Sequence, residues 1–168
     1  RKVDGVEVTA ELFMGGVVGF SHGTLKNQTN SGTVEAWSDS KTITLGGVVG
    51  RVANGAIEKC TTISGTVSYN GPINTTDTPG KGRYVYIGGV MGVLDVEYEL
   101  NYTGLTVSCD LNSIDIEDNK GQQCVGGVIG FLQKKLDLVS PSWAGNSPAG
   151  TGWDGSSAAL PLCHDGRR

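Results

Sequence analysis

Gly19-Phe20-Ser21-His22-Gly23 has the Gly-Xaa-Ser-Xaa-Gly spacing of a nucleophile elbow. That motif carries a strand through a strained turn into a helix, which exposes the serine oxygen to a substrate carbonyl. No helical pattern follows Gly23, and the matching stretch further on carries Val52 and Ala53 where the serine would be needed. The only downstream histidine is His164, in a Gly- and Ser-rich tail. The pentapeptide therefore reads as a turn. Gly150-Thr151-Gly152-Trp153-Asp154-Gly155 has the spacing of a dinucleotide-binding loop. Such a loop follows a buried strand and opens a helix. Neither flanks it, and bulky Trp153 sits inside it.

Asp110, Asn112, Asp115, Glu117 and Asp118 gather oxygen ligands of the kind calcium takes on a bent loop. Asp115 and Glu117 alternate along a strand-like stretch, so both would point to solvent, and a solvated acidic edge is the simpler reading. Asn27-Gln28-Thr29, Asn74-Thr75-Thr76 and Asn101-Tyr102-Thr103 match the glycosylation sequon and read as turn and strand residues.

Aromatic faces stack on sugars, and Trp37, Tyr69, Tyr84, Tyr86, Tyr98 and Tyr102 are candidates. Tyr84 and Tyr86 share one strand face, because side chains alternate with a period of two. Trp37, Tyr84 and Tyr86 are taken as the candidate ligand patch. Cys60, Cys109, Cys124 and Cys163 show no Cys-Xaa-Xaa-Cys spacing, and the two histidines lie far apart, so no metal site is expected. Buried thiols are the plainest reading, with a Cys109–Cys124 disulfide as the alternative. No catalytic residue and no cofactor are expected.

The elements that would position these groups are set by glycine. Of 168 residues, 27 are Gly, more than twice the average share of about 7%. They are not scattered. Gly15-Gly16-Val17-Val18-Gly19 returns as Gly46-Gly47-Val48-Val49-Gly50, Gly88-Gly89-Val90-Met91-Gly92 and Gly126-Gly127-Val128-Ile129-Gly130. The starts are 31, 42 and 38 residues apart. Gly23-Thr24-Leu25 and Ser31-Gly32-Thr33-Val34 in the first unit are echoed by Gly55-Ala56-Ile57 and Ser64-Gly65-Thr66-Val67 in the second. Thr103-Gly104-Leu105-Thr106-Val107 is matched to the end of the third unit, and the fourth fades after Leu132.

Each unit reads as short Val- and Ile-rich pieces separated by turns at Asn54-Gly55 and Ser64-Gly65, which favours strands. The alternating stretch Lys41-Thr42-Ile43-Thr44-Leu45 adds a further strand per unit. Asn70 to Arg83 reads as an exposed loop, Ser113 to Glu117 as a half-buried strand, and Leu132 to Leu138 as one helical turn at most. A unit of this size cannot shelter its own apolar side chains, whereas a stack of units can. The expected fold is all-β: a parallel β-helix or β-solenoid of about four irregular coils, right-handed by preference, over residues 1–139. Residues 140–168 read as a Gly/Ser/Pro-rich linker or irregular cap. A β-sandwich is the alternative fold.

The pattern Gly-Gly-Val-Xaa-Gly, then Gly-Xaa-Ile or Gly-Xaa-Leu, then Ser-Gly-Thr-Val resembles the GLUG repeat of bacterial surface proteins. The likeness covers roughly residues 12 to 132. It is good in units one and two, partial in three and fragmentary in four, with Val where the family often has Leu. The resemblance implies a β-solenoid at the cell surface and implies no catalytic residue.

The formal charge is -4, with no basic stripe, so nucleic acid is not an expected partner. No apolar run approaches the roughly 20 residues of a membrane helix, so no membrane insertion is expected. The chain begins at Arg1, and is read as a piece of a larger or processed product. The expectation is a non-catalytic structural or adhesive module of a secreted or cell-surface bacterial protein, meeting neighbouring domains and a host glycoprotein or polysaccharide. A carbohydrate-active β-helix enzyme is the alternative. It would need carboxylates on one face across successive coils, and equivalent coil positions carry no recurring Asp or Glu.

Overall fold

The computed structural model describes residues 2–3, 6–7, 10–38, 40–71, 83–95, 102–113, 122–132, 142–143 and 162–165. Among them the chain forms strands and no helix. A short antiparallel pair, β1 (Lys2–Val3) and β2 (Val6–Glu7), comes first. Coil one is β3 (Glu11–Gly15), β4 (Val18–Ser21), β5 (Leu25–Lys26), β6 (Thr29–Asn30) and β7 (Val34–Ala36). Coil two is β8 (Thr42–Gly46), β9 (Val49–Val52), β10 (Ile57–Glu58), β11 (Thr61–Thr62) and β12 (Thr66–Tyr69). Coil three is β13 (Tyr84–Gly88), β14 (Met91–Leu94), β15 (Tyr102–Thr103), β16 (Thr106–Val107) and β17 (Asp110–Ser113). The fourth layer has β18 (Gln122–Gly126), β19 (Ile129–Leu132) and β20 (Ser142–Trp143), followed by β21 (Leu162–Asp165).

Each strand pairs with its counterpart in the next coil, which makes five sheets. The first stacks β3, β8, β13 and β18 in parallel, and the second stacks β4, β9, β14 and β19. The third holds β5, β10 and β15, the fourth β6, β11, β16 and β20, and the fifth β7, β12 and β17. Among the described strands, antiparallel pairing occurs only between β1 and β2 and between β18 and β21. This is a parallel β-solenoid, and the sandwich alternative fails because its sheets are antiparallel.

The register is what the repeat encodes. Gly15, Gly46, Gly88 and Gly126 are successive partners in the first sheet. At the next corner position the chain of one coil lies against the carbonyl of the next. A Cβ on Gly47 would collide with the Gly89 carbonyl oxygen and the Thr62 side chain, so only glycine fits. Beyond the corner the backbone bonds continue upward, from Val48 N to Val90 O at 3.0 Å and from Val90 N to Val128 O at 2.9 Å.

Inward-facing aliphatic side chains form columns along the axis. Ile43 stands under Val85, Leu45 under Ile87, Val49 under Met91 and Ile129, and Val67 between Val34 and Leu111, all buried. Burying one such side chain contributes about 1.5–3 kcal/mol, and each column is completed only by its neighbours. Leu12 and Met14, in coil one at the end of the first sheet, are only partly buried.

Several expectations are corrected. Thr106 and Val107 do not match the Ser-Gly-Thr-Val segment. They pair with Thr61 and Thr62, and it is Asp110–Ser113 that pairs with Thr66–Tyr69. Coil three has a longer connection between β14 and β15, so the same letters arrive one corner early in the structure. Of the strand foreseen at Ser113 to Glu117, Ser113 is part of β17, and residues 114–117 lie outside the described ones. Of residues 140–168, read as a linker or irregular cap, two described stretches join the sheets: β20 pairs in parallel with β16, and β21 pairs antiparallel with β18. Tyr69 is not an exposed aromatic. It is 0% exposed, and its hydroxyl donates to the Ser38 carbonyl at 2.8 Å.

Cys60 and Cys109 are buried thiols, which excludes the Cys109–Cys124 pairing. Cys124 is disulfide-bonded, and the backbone register sets Cys163 directly opposite it.

Candidate functional site

The site grows from two outward columns. Two residues before each first corner glycine stand Phe13, Thr44, Tyr86 and Cys124, in register in the first sheet. Five residues after that glycine stand Phe20, Arg51, Val93 and Phe131, in register in the second sheet. The two sheets meet at the glycine corner, so the columns face one another. Coil two has small Thr44 where its neighbours have Phe13 and Tyr86. A groove of about 280 Å³ results, lined by Glu11, Phe13, Thr42, Thr44, Arg51, Tyr84, Tyr86, Val93 and Phe131.

Aromatic rings flank it on both sides. Phe13 and Phe20 meet at 5.4 Å between centroids. Tyr86 and Phe131 stack at 4.7 Å, and the Tyr86 hydroxyl donates to Gln122 Oε1 at 2.9 Å. Arg51 lies between them, with its guanidinium 5.4 Å from the Phe13 ring and 5.9 Å from the Phe20 ring. Its terminal nitrogens pair with Asp95 and, at 3.8 Å, with Glu11. Lys41 Nζ sits 5.1 Å from the centre of the Tyr84 ring. Cation–π contacts of this kind are worth about 0.5–1 kcal/mol at exposed sites, so they fix the Arg51 side chain as well as the ion pairs do.

Two polar atoms at the groove are buried without a hydrogen-bond partner among the described residues: Thr44 Oγ1 and Arg51 Nε. Buried polar groups are normally paired, so their position in a groove matters.

The structure brings Tyr84 and Tyr86 together in the groove and leaves Trp37 elsewhere, 72% exposed and apart from the lining. Phe13, Thr44, Arg51 and Phe131 escaped the sequence reading. They become visible when the repeats are aligned on their first corner glycine and the residues two before and five after are read down the column.

The other candidates do not form sites. Ser21 is buried, its Oγ donating to the Gly23 carbonyl at 3.0 Å and accepting from the Gly23 amide at 3.3 Å, and strand β5 follows, not a helix. Asp110 and Asn112 are exposed, while Asp115, Glu117 and Asp118 lie outside the described residues. Asn27 occupies a left-handed corner at φ 55°, its amide donating to Glu58 O at 3.0 Å. Asn74, Asn101, Tyr98, residues 133–138 and 150–155 lie outside the described residues, and the backbone alone of Tyr102 is described, as part of β15. No group of three or more metal-ligating side chains occurs among the described residues.

Burial pushes the Cys60 thiol up and the Cys109 thiol up to about 11, which keeps both protonated and unreactive near neutrality. No family model, no curated protein and no solved structure matches the chain.

Proposed function

We propose that this chain is a non-catalytic structural or adhesive repeat module of a larger secreted or cell-surface bacterial protein. The observation that carries this reading is the unbroken register of the corner glycines, Gly15 to Gly46 to Gly88 to Gly126. A stack in which every coil repeats the same corner has one continuous hydrogen-bonded axis. That architecture suits a spacer, and its flank suits a binding surface. The GLUG-like spacing of the repeats supports the same reading.

The carboxylates at the groove, Glu11 and Asp95, both pair with Arg51. Held in that way they are poorly placed for acid–base work on a polysaccharide, which favours the module over the enzyme. The partners in this reading are neighbouring domains of the parent chain and a host glycoprotein or polysaccharide.

Immobilised host glycoproteins and polysaccharides, probed with the whole chain, test the adhesive half; absence of binding to all of them leaves the spacer role. Release of reducing sugar from acidic polysaccharides would overturn the non-catalytic reading. Antibody labelling of intact cells tests the surface location.

A further inference from the structure

We propose that the groove between the first and second sheets is a binding site for a neutral saccharide unit, with Thr44 and Arg51 as its polar contacts. This rests on the adhesive half of the reading above and names its site and ligand class.

Thr44 is 1% exposed, lines the groove, and its Oγ1 has no partner among the described residues. Valine would fill the same space without burying an unpaired hydroxyl, and burying one is costly. The neighbouring Nε–H of Arg51 is likewise unpartnered among the described residues, although the terminal nitrogens of that side chain are engaged. The groove thus offers one group that both donates and accepts, beside one that only donates. A sugar hydroxyl complements the first, because it too donates and accepts, and an adjacent hydroxyl or ring oxygen accepts from the second.

The walls fit the same ligand. Phe13, Tyr84, Tyr86 and Phe131 line the groove, and aromatic rings present apolar surface to the C–H face of a pyranose. Charge selects against an acidic sugar. The charged residues that line the groove are Glu11 and Arg51, and Arg51 pairs both with Glu11 and with Asp95, so the lining offers no surplus cation to a carboxylate or sulfate. Size selects against a folded partner: about 280 Å³ lies just below the roughly 300–1,000 Å³ of ordinary small-molecule pockets, room for one or two sugar rings.

The test is saturation-transfer NMR and calorimetry on the whole chain with maltose, cellobiose, lactose and N,N′-diacetylchitobiose, and with glucuronate as the acidic probe. At least one neutral disaccharide binds in the millimolar range or tighter, and glucuronate does not compete. Thr44→Val weakens that binding about tenfold or more, as expected when a site loses a hydrogen bond to a sugar hydroxyl. The same variant melts at a higher temperature than the parent, which shows that the loss is not unfolding. Binding that Thr44→Val leaves intact overturns the groove assignment but not the adhesive reading. Capture by an immobilised glycoprotein with no response to any free disaccharide does the same. Silence in both assays overturns both.

Discussion

Thr62 Oγ1 donates a 2.6 Å hydrogen bond to the carbonyl of Gly89, the corner glycine of the coil above. Asn30, one coil below and in register with Thr62, does the same for Gly47 through Nδ2 at 2.8 Å. The corner turns the chain so sharply that the second glycine's carbonyl needs a donor from outside its own ladder. A polar side chain in the fourth sheet supplies it. In coil three the equivalent residue is Val107, so the device serves two of the three interfaces described.

Thr62→Val keeps the shape and removes the donor. It leaves a buried carbonyl unpaired and destabilises the fold by about 1–3 kcal/mol. Urea denaturation measures the loss as a lower midpoint at unchanged slope.

Gly47→Ala places a methyl group against the Gly89 carbonyl, which belongs to rigid backbone and cannot step aside. The expected cost exceeds about 3 kcal/mol, at the severe end of single substitutions. Gly23→Ala is the control: a Cβ there meets nothing within 4 Å, and the change stays within about 0.5 kcal/mol of the parent. Thermal melts of the two variants check both.

Asn27, Lys59 and Gly104 occupy one corner in three successive coils, all left-handed, at φ 55°, 51° and 64°. Lysine is the costly occupant, since its Cβ crowds the carbonyl in that conformation by about 1–2 kcal/mol. Lys59 is exposed and its side chain is dispensable to the core. Lys59→Gly therefore stabilises by up to about 1 kcal/mol, part of the relief being offset by the freer unfolded chain. A raised melting temperature checks it, and Gly104→Ala should lower it.

The Cys109 thiol, raised by burial from 9.0 to about 11, makes stability depend on alkali. The folded state holds the proton more tightly than the unfolded one. Its contribution is therefore intact below about pH 9 and is lost as pH rises from there towards 11. Other groups titrate in that range, so the measurement compares the parent with Cys109→Ala, whose stability falls less steeply. At pH 8 iodoacetamide should leave Cys60 and Cys109 of the folded chain unmodified by mass spectrometry.

The coil was legible because its corners are written in glycine. Gly46-Gly47 and Gly88-Gly89 fix where the chain bends, and Gly55 and Gly65, both at positive φ, mark the turns that follow. The fourth-sheet strands were not legible, since Thr61–Thr62 and Thr29–Asn30 are too short and polar to show a period. Coil three was misaligned because its letters matched at the wrong corner, and only hydrogen-bond register distinguishes corners. The groove was half legible. Tyr84 and Tyr86 share a face on one strand, but Arg51 and Phe131 join them only when four coils are stacked. Cys124 gave no local hint of its bond, because the strand that pairs with it, Leu162–Asp165, comes from the tail.

The account depends on corners that sit directly over one another. Scalar couplings across backbone hydrogen bonds, measured by NMR on the labelled chain, read this without side-chain assumptions. The account predicts couplings from the Val48 amide to the Val90 carbonyl and from the Val90 amide to the Val128 carbonyl. Couplings that instead tie those amides to carbonyls of an adjacent antiparallel strand would contradict it.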